Sequence, residues 1–183
     1  MLKRIIISGF GGQGGLAIGK NLAEAGMAAG FHVTWAPSYG PEMRGGTANC
    51  SVVISSGPIG SPVFAASTEL IALNEPSLEK FEAGVQPGGA VFVNSGVVTG
   101  RVRREDLTAC YVPCSQIAEE VGNPKAGNMA MLGAYVGRTG FLNPESIEAM
   151  IAHMFAGSKA ALIPLNIEAF RRGMAVSRSS RAQ

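Results

Sequence analysis

Gly9, Gly11 and Gly14 fall in the spacing G-x-G-x-x-G within Gly9-Phe10-Gly11-Gly12-Gln13-Gly14-Gly15. The preceding Leu2-Lys3-Arg4-Ile5-Ile6-Ile7-Ser8 is apolar and β-branched and predicts a buried parallel strand. The following stretch, residues 16–25, predicts a helix. The glycines thus occupy a strand-to-helix turn, the context in which this spacing carries meaning. Such a turn offers recognition of an anion. Glycine permits positive φ and close approach, and the free N–H groups and dipole of a helix start favour negative charge. Gly11, Gly12, Gln13 and Gly14 are therefore candidates for binding a phosphate. The alternative is that the glycines only let the helix pack tightly on a sheet. A dinucleotide fold would add an Asp or Glu at the end of the second strand, roughly 20 residues on, for the ribose hydroxyls. The strand predicted there, His32-Val33-Thr34-Trp35-Ala36, has no acid, and the next one is Glu42. That argues against ordinary NAD binding.

A second group follows in Ser38-Tyr39-Gly40-Pro41-Glu42-Met43-Arg44-Gly45-Gly46-Thr47. Pro41 and the glycines forbid regular structure. A plain connector would hold Ser, Asn and Asp, whereas this one carries an aromatic, an acid, a thioether and a guanidinium. Arg44 presents a rigid fork suited to phosphate or carboxylate, and Gly45 and Gly46 leave room beside it. Ser38, Tyr39, Glu42, Arg44, Gly45 and Gly46 are candidates for contact with a ligand or a partner chain. The plainer alternative is a solvated loop with an Arg44–Glu42 surface pair worth little.

No catalytic residue can be assigned. His32 and His153, the two histidines, have no Cys, Asp or Glu at ligand spacing, so no metal site is expected. No G-x-S-x-G elbow is present. The glycine turn lacks the Lys-Ser/Thr of a P-loop, and no carboxylate pair stands out as acid and base. Cys110 and Cys114 are spaced C-x-x-x-C and Cys50 is remote. Three cysteines fit buried small side chains better than a cluster with four ligands.

The elements that must hold these groups follow from periodicity. A helix is predicted over residues 13–29 with stripes Ile18, Leu22, Ala25, Ala29 and Gly19, Ala23, Gly26, ended by Gly30. Strands are predicted at 47–55, 69–73, 90–94 and 109–112. An extended piece at 58–62 follows the 47–55 strand closely enough to suggest an antiparallel pair. Residues 75–81 read as a short helix with Pro76 in its first turn, and 86–89 as a turn. Arg101, Arg103 and Arg104 lie beside Glu105 and Asp106 and read as a solvated loop. Helices are predicted at 115–121, at 128–136 (buried all round), from 143 with Asn143 as N-cap and Pro144 at its first position, and over 158–172. The expectation is one α/β domain over residues 1–172, a three-layer α/β/α fold with a Rossmann-like βαβ start and a mixed, mainly parallel sheet. Residues 173–183 are expected to be a mobile tail.

At 183 residues the chain is long enough to bury a sizeable core without disulfides or metals. Charged residues are 15%, against about 25% in average domains. That points to a surface partly covered by another chain. A net charge of +2 gives no case for nucleic acid. No run approaches a membrane span, and the three isoleucines after Lys3-Arg4 are too few for a signal peptide. A cytoplasmic location is expected.

Gly11-Gly12-Gln13-Gly14 after an N-terminal strand, followed by Ser38-Tyr39-Gly40-Pro41-Glu42-Met43-Arg44-Gly45-Gly46-Thr47, resembles the gamma subunit of 2-oxoacid:ferredoxin oxidoreductases. Asn128-Met129 and Leu132-Gly133-Ala134 are in keeping, and the resemblance extends to about residue 170. The second loop looks more like the 2-oxoglutarate and branched-chain members than the pyruvate members. The resemblance implies an enzyme that cleaves a 2-oxoacid, releases CO2, joins the acyl group to coenzyme A and passes two electrons to ferredoxin. Thiamine diphosphate, Mg2+ and 4Fe-4S iron–sulfur clusters would belong to alpha, beta and delta type partner subunits, and none to this chain alone. The isolated chain would be inactive, and could self-associate. Two other readings stay open: a subunit of the indolepyruvate branch, and a stand-alone NAD(P)-binding Rossmann protein.

Overall fold

The computed structural model describes residues 1–38 and 47–179. The chain divides into two compact units, Met1–Tyr111 and Val112–Gln183.

The first unit is built on a six-stranded sheet. In chain order its elements are β1 (Leu2–Phe10), α1 (Gly15–Ala28), β2 (His32–Ser38), β3 (Thr47–Ser55), β4 (Ser67–Ala72), α2 (Glu75–Phe81), β5 (Val85–Asn94) and β6 (Thr108–Val112). The strand order is β2-β3-β1-β4-β5-β6. β1 pairs with β4 and β4 with β5 in parallel, while β3 is antiparallel to both β1 and β2. The sheet is therefore mixed, with β3 alone running against β1, β2, β4 and β5. β1, α1 and β2 do form a βαβ start with parallel strands, but β3 lies between the two strands. The antiparallel partners of β3 are thus β1 and β2, not residues 58–62, which form no strand. Pro58 and Pro62 have no N–H to give a ladder.

Successive strand residues face opposite sides of a sheet, and the two helices use both. Ile7 lies against α1, where a Cβ on Gly19 would come within 3.2 Å of it. Ile6 packs with Leu70, Ala72, Val91 and Val93 on the side covered by Leu78 of α2. The result is helix, sheet, helix. Each such aliphatic side chain, fully buried, stabilises the fold by about 1.5–3 kcal/mol. The turn expected at residues 86–89 lies inside β5. The β4–β5 register shifts between Ser67↔Val85 and Glu69↔Ala90, so Pro87 and its neighbours bulge out of the ladder instead of reversing the chain.

The second unit is helical: α3 (Cys114–Glu120), α4 (Gly127–Thr139), α5 (Pro144–Met154) and α6 (Ile163–Ser179). α4 buries Met129 through Val136, as its unbroken run of apolar and small residues requires. Asn143 caps α5, its Oδ1 accepting from the N–H groups of Glu145 at 2.8 Å and Ser146 at 3.3 Å. The last helix starts later and ends later than its sequence suggests. Residues Gly157–Leu162 form a 3-10 turn, and α6 runs through Gly173 to Ser179. Residues 173–179, expected in a mobile tail, are helix because Gly173, Met174 and Ser177 are buried. Packing there outweighs the low helix propensity of a single glycine, about 1 kcal/mol.

Candidate functional site

β1 ends at Phe10 and α1 begins at Gly15, so the turn is Gly11-Gly12-Gln13-Gly14. Gly14 is the N-cap of α1, in the left-handed region at φ 82°, and no side chain caps the helix. Gly12 also has positive φ, 93°, and nothing lies within 4 Å of where its Cβ would be. Only glycine holds both conformations without strain. Gly11 and Gly12 are exposed, and no acid stands in the first turn of α1. The arrangement is open and carries a positive potential from the helix start. Phe10, Leu16, Ala17 and Ala48 wall a hollow of about 200 Å³ over these glycines. That is below the ~300–1,000 Å³ of whole-ligand pockets. It suits one charged group of a ligand whose remainder lies outside it.

Gln13 differs from its neighbours. Its side chain turns inward and is held by protein. Oε1 accepts from the N–H of Phe10 at 2.6 Å, and Nε2 donates to the carbonyl of Leu73 at 3.0 Å. Asn74 Nδ2 donates to the same Oε1 at 3.3 Å. The backbone N–H of Gln13 closes the turn on the Phe10 carbonyl at 3.1 Å.

The register brings Ser38 and Thr47, the residues that flank the second loop in sequence, to this end of the sheet. Phe10 pairs with Thr47, and Asn49 lies between Ser8 on one side and Ser38 on the other. With neighbouring strands about 4.8 Å apart, Ser38 is roughly 10 Å from Ser8 across β3. Both anchors of the loop therefore leave the sheet at the end where the glycine turn lies. Tyr39, Glu42, Arg44, Gly45 and Gly46 lie outside the described residues.

Nothing local in the sequence marks Leu73 and Asn74 as parts of the site; Asn74 before Glu75-Pro76 signals a helix start and no more. Nor is the arginine segment a plain solvated loop. Glu82 Oε1 accepts from the N–H groups of Arg103 at 2.7 Å and Arg104 at 2.9 Å. Arg104 donates to the Val85 carbonyl at 2.5 Å and pairs with Asp106. Glu82, Arg103 and Arg104 line a cavity of about 250 Å³ with Glu75 and Arg101. Glu75, Glu82 and Arg104 there bond the protein's own backbone and brace the connection between β5 and β6.

Among the described residues no three His, Cys, Asp or Glu side chains gather to hold a metal ion. Cys50, Cys110 and Cys114 are buried. Burial pushes the Cys50 thiol up to about 11, against a smaller opposite pull from its hydrogen bond to Trp35. Among the described residues no helix is long and apolar enough to cross a membrane.

Residues 4–176 match the family described as pyruvate ferredoxin/flavodoxin oxidoreductase. The chain belongs to that family. It is the family whose gamma subunit the two loops resemble. Within it, the chain is 42% identical over 172 residues to ketoisovalerate oxidoreductase subunit VorA of Methanothermobacter marburgensis, covering 93% of this chain and 35% of VorA. The chain thus spans about a third of the length of that relative. It is 34% identical over 182 residues to 2-oxoglutarate synthase subunit KorC of Methanocaldococcus jannaschii, covering 97% of this chain and 95% of KorC. Its fold is similar to the keto/oxoacid ferredoxin oxidoreductase gamma subunit of Geobacter sulfurreducens, with TM-score 0.82 and 29% identity over 97% of this chain and 99% of that one. These oxidoreductase-family relatives come from different substrate types, so the shared fold does not itself name a 2-oxoacid.

Proposed function

We propose that the chain is the gamma-type subunit of a cytoplasmic 2-oxoacid:ferredoxin oxidoreductase, with 2-oxoglutarate as the substrate. The whole enzyme converts 2-oxoacid and coenzyme A to acyl-CoA and CO2 and reduces ferredoxin. Thiamine diphosphate, Mg2+ and 4Fe-4S clusters then reside in alpha, beta and delta type partner subunits. Among the described residues no three His, Cys, Asp or Glu side chains gather as ligands for Mg2+ or a cluster. A branched-chain 2-oxoacid is the second reading, favoured by the 42% identity to VorA against 34% to KorC.

One observation carries the role assigned to this chain: α1 starts on glycines with no side-chain cap and no acid in its first turn, and the space beside Gly12 is open among the described residues. A phosphate of coenzyme A fits there. The coenzyme, when bound, supplies the thiol that takes up the acyl group. This chain's part is to hold a phosphate on the main-chain N–H groups of Gly11, Gly12 and Gly14, with Arg44 as a second anchor from the neighbouring loop. A charge-assisted hydrogen bond of this kind contributes about 1.5–3 kcal/mol, or roughly tenfold to a hundredfold in affinity.

Calorimetric titration of the assembled complex with coenzyme A tests this. Gly12→Val and Arg44→Ala should each weaken binding at least about tenfold. Unchanged affinity in both variants rejects the ligand role. Mass spectrometry of the co-purifying polypeptides should find several thiamine- and cluster-bearing chains. A single large thiamine-binding partner would instead place the protein in the indolepyruvate branch.

A further inference from the structure

Gln13 sits in the centre of the glycine turn, yet its side chain has almost nothing left to offer a ligand. An amide side chain has two acceptor positions and two donors. Both acceptor positions of Oε1 are taken, by Phe10 N–H at 2.6 Å and Asn74 Nδ2 at 3.3 Å. One donor of Nε2 is taken by the Leu73 carbonyl at 3.0 Å. Two donors and one acceptor around the amide also fix which way it points, since the flipped amide would set Nε2 against two N–H groups.

The surroundings are shaped for this contact. A Cβ on Gly9 would come within 2.8 Å of both Gln13 Oε1 and Leu73 Cβ, so only glycine at that position admits the amide. Asn74 is buried, and its Oδ1 accepts from Ser77 N–H at 2.9 Å, capping α2. A rigid helix start thus holds Asn74, Asn74 holds Gln13, and Gln13 holds the N–H of Phe10, where β1 enters the turn.

An exposed run of glycines has the opposite tendency. Each glycine loses more conformational freedom on ordering than any other residue. A ligand that had to order Gly11, Gly12 and Gly14 by itself would bind more weakly by that cost. We propose that Gln13 is the positioning residue of this site: it touches no ligand, and through Phe10, Leu73 and Asn74 it preorganises the glycine N–H groups that do. This rests on the reading of the turn as a coenzyme A phosphate site.

The test uses the assembled complex, with coenzyme A affinity read by calorimetry, and amide hydrogen exchange read without coenzyme. Gln13→Ala should speed exchange at Phe10, leave it unchanged at Ile7, and weaken coenzyme A about tenfold, the worth of one or two hydrogen bonds. KM for coenzyme A should rise more than kcat falls. Gly9→Ala, which displaces the amide without removing it, should act in the same direction. Asn74→Asp keeps the cap on α2 and removes the donor to Gln13; it should weaken binding by itself and add nothing in the Gln13→Ala background. If Gln13→Ala weakens coenzyme A but leaves Phe10 exchange unchanged, Gln13 meets the ligand directly and the positioning role is wrong. If Gln13→Ala leaves affinity unchanged while Gly12→Val weakens it, the positioning role alone fails. If neither variant matters, the phosphate site itself is refuted, and this inference with it.

Discussion

Gly133 of α4 lies against the main chain of Phe170 on α6, so that a Cβ on Gly133 would overlap the Phe170 carbonyl oxygen. The relation is reciprocal, since a Cβ on Gly173 would overlap the carbonyl oxygen of Ala130. The two helices meet backbone to backbone, and no side chain can swing away to make room. Gly133→Ala should therefore destabilise the protein by about 1–3 kcal/mol or more. Gly57→Ala, which enters open space, should stay within about 0.5 kcal/mol. Urea denaturation of the two variants measures this, and equal midpoints would contradict the packing.

A second expectation concerns acid. Glu75 Oε2 accepts from the N–H groups of Gly100 at 3.1 Å and Thr99 at 2.9 Å. The Gly100 N–H foremost, with Thr99 and the Arg103 charge adding to it against some desolvation, holds the Glu75 carboxyl below its usual 4.5. A depressed pKa in the folded state gives stability that is complete above the unfolded value and disappears as pH falls through the folded one. Denaturant midpoints should therefore drop between about pH 5 and pH 3. Glu75→Gln should make the drop shallower without removing it, because Arg104 lowers Asp106 and Arg171 lowers Glu148 in the same way. Parallel pH profiles for the parent and Glu75→Gln would sink this account.

The elements that could be read from the sequence are those set by local signals. β1, α1 and α4 follow from runs and stripes of apolar residues, α2 from Pro76 in its first turn, and α5 from the Asn143 cap followed by Pro144. What escaped was decided at a distance. The placing of β3 between β1 and β2 is a matter of pairing, which periodicity does not encode. Gln86-Pro87-Gly88-Gly89 has the composition of a turn, but β4 holds both of its flanks in one ladder. Gly173 reads as a helix stop until α4 is present to pack on it. The site divides the same way. The position of the turn was legible from its glycines. The inward direction of Gln13 depends on partners 60 and 61 residues away, at Leu73 and Asn74.

Cysteine chemistry offers a third check. With its thiol pushed up to about 11 by burial, Cys50 at pH 8 is about one part in a thousand thiolate, and the thiolate is the reactive form. Iodoacetamide at pH 8 should leave the Cys50 peptide unmodified in the native protein and label it fully in urea. Rapid native labelling of Cys50 would show that the β3 core opens far more readily than its packing implies.

The two asparagine caps should respond differently to the same change. Asn143 is exposed and caps α5 by accepting two N–H bonds. Its replacement by Ala should cost about 1 kcal/mol, the ordinary worth of an N-cap. Asn74 is buried, caps α2 through Ser77 N–H, and also donates to Gln13. Asn74→Ala loses the cap, leaves the Ser77 N–H buried without an acceptor, and removes one bond to the glycine turn. An unsatisfied buried donor alone costs about 1–3 kcal/mol, so Asn74→Ala should lose at least about 2 kcal/mol in total. Asn74→Asp should recover the α2 cap and hence part of that loss, while Asn143→Asp should be near neutral because Asp and Asn cap equally well. Thermal and urea denaturation of the four variants gives the comparison. Equal losses for Asn74→Ala and Asn143→Ala would mean that the buried network around Gln13 adds nothing to the fold.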